Sequence, residues 1–269
     1  MPSHRKCCIR RSNSSDFLPG RHRRPGHRIG PVSAVIRRRA PVFHDSRRDG
    51  ARVLDCGSIR PMLEVEDLAC LKGDRLLFRD LALRLQAGEL LRVAGPNGVG
   101  KTSLLRLVTG LALPEAGQIR WNGTSISRER EPFHRALLYL GHAPAINDLL
   151  SPLENLRFAC AAAGDEVDPK ACEQALVRIG LANQLDLPAR VLSQGQRRRV
   201  GLARLFLSAR RTLWVLDEPF TALDVKAVAD LAQALSEHCA AGGMVMLTTH
   251  QDAPFAVPPR VLDVGAYAC

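Results

Sequence analysis

The sequence lacks any C-x-x-C pair. Its eight cysteines (Cys7, Cys8, Cys56, Cys70, Cys160, Cys172, Cys239 and Cys269) stand at no metal-ligand spacing from one another. A cysteine zinc site and a dithiol redox motif are therefore excluded as sequence readings, and without C-x-x-C-H there is no haem-attachment signal. Scattered thiols in a chain long enough for a substantial core fit a reducing compartment. The sequence also lacks a long apolar run: no window approaches the ~18 consecutive apolar residues that a membrane-spanning helix needs. The chain itself is thus expected neither to cross a bilayer nor to line a channel. Near its start the apolar residues are isolated among arginines, which does not read as the apolar core of a secretory signal.

Excess charge is missing from most of the chain as well. The total is 38 Lys and Arg against 27 Asp and Glu, a formal charge of +11. Of these, 15 basic and 4 acidic residues lie in 1–61, which leaves 23 of each sign in 62–269. Residues 62–269 therefore show no overall basic excess, and no nucleic-acid partner is expected. Residues 1–61 are rich in Arg, Pro, Gly, Ser and His and show no period of 2 or 3.6. They read as a disordered basic extension, because such a composition buries too little apolar surface to offset its ordering entropy. Three origins stand: sequence upstream of a true start at Met62, a basic tail for nucleic acid or anionic lipid, or an organelle transit peptide.

From Met62 the texture changes to short strands and helices. Leu63, Val65 and Asp67 alternate with Glu64, Glu66 and Leu68. Leu81, Leu83 and Leu85 alternate with polar neighbours up to the Ala87-Gly88 turn, the pattern of a half-buried antiparallel strand. Leu90–Ala94, Leu213–Leu216 and Met244–Leu247 are short apolar runs separated by helical stretches, which predicts a mainly parallel α/β sheet. Asn122-Gly123 predicts a hairpin turn. Residues 153–163 and 169–179 are predicted helices, the second opened by Asp168 and Pro169 and closed by Gly180.

Five stretches carry chemistry. "GPNGVGKTS" follows the 90–94 run and opens a helix. It fits G-x-x-x-x-G-K-[ST]: Gly95, Pro96, Asn97, Gly98, Val99, Gly100, Lys101, Thr102 and Ser103 form a cradle whose N–H groups turn inward around phosphate oxygens. Lys101 is expected to reach the β and γ phosphates and Thr102 to ligate Mg²⁺, so ATP with magnesium is the expected ligand. "LSQGQRRRV" has Ser193 as helix cap, then Gln194, Gly195 and Gln196, a second helix N-terminus suited to phosphate. Its three arginines, 197–199, read as a solvated helix face. "LWVLDEP" ends a buried strand in two carboxylates: Asp217 suits Mg²⁺ held through water, and Glu218 can polarise an attacking water. "TALD" ends in Asp224, and "TTH" ends in His250, within reach of a γ-phosphate.

These motifs, in this order, resemble the ATPase subunits of ABC transporters over essentially all of 62–269. The resemblance implies an α/β ABC-type P-loop NTPase fold: a mainly parallel core, an antiparallel β subdomain, and an inserted helical subdomain at about 143–208. It implies ATP hydrolysis and a head-to-tail homodimer in which Ser193 and Gly195 of one subunit close over ATP held by the other. Asp224 would face the dimer. Two departures narrow it. The family usually carries an aromatic ring under adenine, but Cys70–Arg75 has none, leaving Arg75 as a substitute. The family also usually carries Gln after the strand at 137–140, where this chain has Gly141-His142 and no glutamine between Gln118 and Gln174. "YLGHAPAINDLLSPLENLRF" looks like the haem-export branch serving c-type cytochrome biogenesis. That branch implies a peripheral subunit on the cytoplasmic face of a bacterial inner membrane, working with integral permease subunits. Another ABC transporter or a soluble ABC ATPase remain the alternatives. His142 has two readings: a surface loop residue, or a contact to the nucleotide site that couples it to the membrane partner.

Overall fold

The computed structural model describes residues 61–269; the basic extension, apart from its last residue, lies outside the described residues. Two sheets form the framework. The first is antiparallel, ordered β2-β1-β4-β5, from β1 (Met62–Lys72), β2 (Arg75–Gln86), β4 (Ala116–Trp121) and β5 (Thr124–Ser125). The second is wholly parallel, ordered β6-β7-β8-β3-β9, from β3 (Leu90–Ala94), β6 (Leu137–Leu140), β7 (Leu213–Asp217), β8 (Met244–Thr248) and β9 (Arg260–Asp263). This is the α/β class expected from the apolar runs.

Alternation explains why the parallel strands are apolar throughout. Leu91, Val93, Leu213, Val215, Met244 and Met246 face a core shared with β1, β2 and helix α1 (Lys101–Val108). Leu90, Trp214, Leu216, Val245 and Leu247 face the opposite core, closed by α6 (Val225–Ala240). Both sheet faces are dry, so β7 and β8 are buried at every residue. A short helix, α2 (Arg130–Ala136), leads into β6. Between β6 and β7 the chain forms α3 (Pro152–Ala162), α4 (Pro169–Arg178) and α5 (Gln194–Leu202) around a third core that includes Leu156, Cys160, Leu176 and Val200.

Local chemistry sets the boundaries. Ser151 caps α3 through a reciprocal pair with Glu154, and Asp168 caps α4 by accepting from the Lys170 N–H. Asn122 and Gly123 both have positive φ, 52° and 81°, which suits the β4–β5 hairpin. One strand differs from its sequence pattern. Asp67 does not continue the inward series of Leu63 and Val65, because β1 bulges there at φ 49° and Leu68 takes the buried position instead. Opposite the bulge, a side chain on Gly117 would come 2.4 Å from the Asp67 carbonyl oxygen, so only glycine fits. Cys70, Cys160, Cys172 and Cys239 are buried free thiols and Cys269 is exposed. Among the described residues no helix is long and apolar enough to cross a membrane, and no group of three His, Cys, Asp or Glu could hold a metal.

Candidate functional site: a cleft at the strand ends

Because β6, β7, β8 and β3 run parallel side by side, the segments leaving their C-terminal ends crowd along one edge of the sheet. A cleft of about 560 Å³ opens there, lined by Asn97, Gly98, Gly100, Lys101, Thr102 and Ser103, and also by His142, Asp217, Glu218 and His250. Residues more than 150 positions apart in sequence thus line one cleft. Lys72 and Leu77 line it as well, whereas Arg75 lies exposed at the start of β2 and does not.

The cradle requires its glycines. Gly95, Gly98 and Gly100 have φ of 131°, 82° and 115°, in or beyond the left-handed region. At Gly100 a side chain would also meet the Phe78 ring at 3.0 Å. Helix α1 begins at Lys101 with no side-chain cap and no acidic residue in its first turn, so the positive end of its dipole faces the cleft uncompensated. Lys101 Nζ donates to the carbonyls of Gly95 at 2.7 Å and Pro96 at 3.3 Å.

Across the cleft, Asp217 and Glu218 are neighbours in sequence with different surroundings. Asp217 is 1% exposed; its Oδ1 accepts from the Thr248 hydroxyl at 2.7 Å, while its buried Oδ2 has no partner in the protein. Glu218 sits at φ 50°, a strained value for a residue with a side chain, and its N–H donates to the same Thr248 oxygen at 2.8 Å. One threonine therefore fixes both. The Glu218 carboxylate Oε1 lies 3.5 Å from His250 Nε2. Tyr139, near Asp217, has its hydroxyl pKa pushed up, chiefly by burial and then by the Asp217 charge.

Ser193 to Gln196 do not line this cleft. Ser193 caps α5: its Oγ accepts from the Gln196 N–H and its own N–H donates to Gln196 Oε1, a complete capping box. Gly195 lies against the loop at Ala222, where a Cβ would come 2.5 Å from the Ala222 carbonyl oxygen. Asp224 is likewise outside the cleft; it caps α6 through the Ala227 N–H and pairs with Arg199. Its carboxyl is held below the usual range, first by that backbone bond and also by Arg199.

The three-arginine run departs from its reading as a solvated face. Arg197 pairs with Asp148 and Arg199 with Asp224, while Arg198 is 7% exposed and points inward. The phase of the helix carries only the inward direction of Arg198, not the groups it meets there. Leu202, four residues on in α5, is buried in the core below α6, and Arg198 lies on the same side of that helix. Thr248 was also missed, although it stands beside Asp217 in the β7–β8 register.

Comparison with known proteins bears on the family and the fold of this chain. The profile described as "ABC transporter" matches residues 78–221. A cytochrome c biogenesis ATP-binding export protein of Aromatoleum aromaticum is 77% identical over 208 residues, covering 77% of this chain and 97% of that one. Its namesake from Nitrosomonas europaea is 52% identical over 191 residues, covering 71% and 89%. Among solved structures, a putative ABC transporter ATP-binding protein from Pyrococcus furiosus superposes with a TM-score of 0.65 at 22% identity, over 77% of this chain and 100% of that one. A dimeric ATP-binding cassette bound to ADP and Pi gives 0.62 at 20%, over 70% and 88%. At these identities the superpositions speak for the fold alone.

Proposed function

This chain belongs to the ABC transporter family, and we propose that it is the ATP-hydrolysing subunit of the membrane export complex that serves c-type cytochrome biogenesis. Two relatives are named cytochrome c biogenesis ATP-binding export proteins, which supports this reading. Within the complex, integral permease subunits would handle haem or its loaded chaperone. This subunit would sit peripherally on the cytoplasmic face of the inner membrane and would use the helical segment at about 143–208 as its contact.

In this reading the cradle N–H groups and Lys101 bind the triphosphate. Lys101 turns from the carbonyls of Gly95 and Pro96 toward the β and γ phosphates. The donor set fits magnesium: the Thr102 hydroxyl would be one hard oxygen ligand, and the partnerless buried Oδ2 of Asp217 is an acceptor that would suit a coordinated water. Bound there, the ion would neutralise charge on the phosphates. Glu218 takes a proton from the attacking water, whose oxygen bonds to the γ-phosphorus as the bond to the β–γ bridging oxygen breaks, so that ADP leaves and phosphate is released. His250, 3.5 Å from that carboxylate, orients it and reports on the γ-phosphate. His142 stands on the cleft wall at the place where the family's glutamine usually lies.

The position of Ser193, Gln194, Gly195 and Gln196 outside the cleft supports a composite site. In a head-to-tail homodimer Ser193 and Gly195 close over nucleotide on the partner subunit's Lys101. The difference in affinity of ATP and ADP for the closed dimer would supply the work of transport.

The observation that carries this reading is the Thr248 hydroxyl bonded to Asp217 and Glu218 together, opposite the cradle. Its test is Glu218→Gln. Turnover should fall by roughly 10²- to 10⁴-fold, the usual weight of a general base, while ATP still binds and light scattering records a nucleotide-dependent dimer. Wild-type turnover in that variant, or a monomer at saturating ATP and magnesium beside the permease, would refute it.

A further inference from the structure

Arg198 makes four hydrogen bonds, all to backbone carbonyls. One guanidinium nitrogen, Nη1, donates to the oxygens of Gly141 at 2.8 Å and His142 at 2.6 Å. The other, Nη2, donates to those of Asp217 at 2.6 Å and Glu218 at 2.9 Å. Leu140, the last residue of β6, is the register partner of Leu216, the residue before the end of β7, so these four carbonyls lie at or just past the C-terminal ends of adjacent strands. Beyond that last pair no ladder joins the two segments, and the arginine fork takes its place. The carboxylates of Asp217 and Glu218 stay out of the clamp, which leaves them available to the cleft.

Glu218 is thereby held at both ends of its backbone. Its N–H is tied to Thr248 and its carbonyl to Arg198, around a φ of 50° that an unconstrained glutamate would avoid. His142 is held through its carbonyl alone, with its ring left on the cleft wall. Arg198 itself belongs to α5, five residues after Ser193, about 7.5 Å along the helix at 1.5 Å per residue. A planar guanidinium with two paired donors spans four acceptors on two segments; a lysine ammonium, with three donors on one atom, does not.

We propose that Arg198 is a positioning residue that sets the catalytic geometry of Glu218 and His142 and ties it to the signature helix of the same subunit. A shift of α5, driven by nucleotide seated against Ser193 in the composite site, is passed through this clamp to the subunit's own hydrolytic carboxylate. The two sites of the dimer are then linked by backbone, without a ligand-touching role for Arg198. This rests on the assignment of Glu218 as base.

The experiment compares full-length wild type, Arg198→Met, Arg198→Lys and Glu218→Gln in steady-state ATPase assays, with binding of a fluorescent ATP analogue and thermal midpoints measured in parallel. Misplacement of a catalytic group by about 1 Å costs on the order of 10²-fold. Arg198→Met should therefore lose about 10- to 100-fold in kcat while analogue affinity stays within about two-fold. Arg198→Lys should recover only part of the rate. If Arg198→Met does not fold, Arg198→Lys decides: a folded lysine variant several-fold slower at unchanged affinity supports the clamp. Wild-type kcat in either folded variant, or equal loss of affinity and rate, overturns it. If those variants run at wild-type rate while Glu218→Gln is inactive, only the positioning role fails. A fully active Glu218→Gln removes the base assignment and the positioning role together.

Discussion

At the scale of single residues, the site depends on where backbone leaves no room for a side chain. Gly195 does not need positive φ; it needs proximity, since its Cβ position falls 2.5 Å from the Ala222 oxygen, and Ala222 is itself held at φ 62°. Gly195→Ala must push the 220–224 turn away from the start of α5. Forced overpacking of this kind costs about 1–3 kcal/mol, and each kcal/mol lowers the midpoint of a domain this size by roughly 2–4 °C. A calorimetric midpoint several degrees lower, with slower ATP turnover, is expected; an unchanged midpoint and rate would show that the contact is slack. The residues that announce themselves in sequence are those whose chemistry is fixed by near neighbours: the cradle glycines, Lys101, and the Asp217-Glu218 pair. Thr248 and Arg198 did not announce themselves, because their roles depend on which strand lies beside which. A threonine at a strand end and the middle of three arginines look ordinary until β6, β7 and β8 are seen side by side.

At the scale of elements, boundaries were legible where a cap or turn states them: Asp168, Ser193, and Asn122-Gly123. The β1 bulge was not, since Asp67 falls on the alternation and only the register against β2 and β4 shows the extra residue. Helix α6 hides a second feature of this kind. His238 stacks on Trp214 of β7 with ring centroids 3.7 Å apart and planes 6° from parallel. Its Nε2 lies 3.3 Å from the Thr212 carbonyl, and only a glycine at 243 leaves space for the ring. Burial pushes the His238 pKa down, and the Thr212 bond only partly opposes it. The unfolded chain, by contrast, takes up a proton near pH 6.5. The unfolded state then binds more protons, so the contribution of this group is complete above about pH 6.5 and is lost as pH falls toward the depressed folded value. Thermal midpoints should decline between about pH 7 and 5.5. His238→Phe, which keeps an aromatic stack but cannot titrate, should flatten that slope; an equal slope in both proteins would remove His238 from the account.

At the scale of the whole molecule, the two-layer core accounts for stability and the cleft, and the helical insert has a surface that neither requires. Half of the large apolar side chains exposed among the described residues lie on it: Leu149, Phe158, Val177, Leu187 and Val191. Phe158, 68% exposed, projects from α3 beside Arg157 and Glu154, and Leu149, 73% exposed, lies just before that helix. Exposed aromatic and leucine side chains contribute nothing to this fold, and burying one against a partner is worth about 1.5–3 kcal/mol. If the insert is the contact with integral subunits, Phe158→Glu should weaken that contact by roughly 10- to 100-fold, since each 1.4 kcal/mol is tenfold. The cleft residues are on other elements, so the purified subunit should keep its midpoint and its ATPase rate. Co-purification with the permease, and maturation of c-type cytochromes in cells carrying the variant, should both drop. A variant that still co-purifies in full would assign the permease contact to another face, and one that loses basal ATPase would mean that α3 supports the cleft directly.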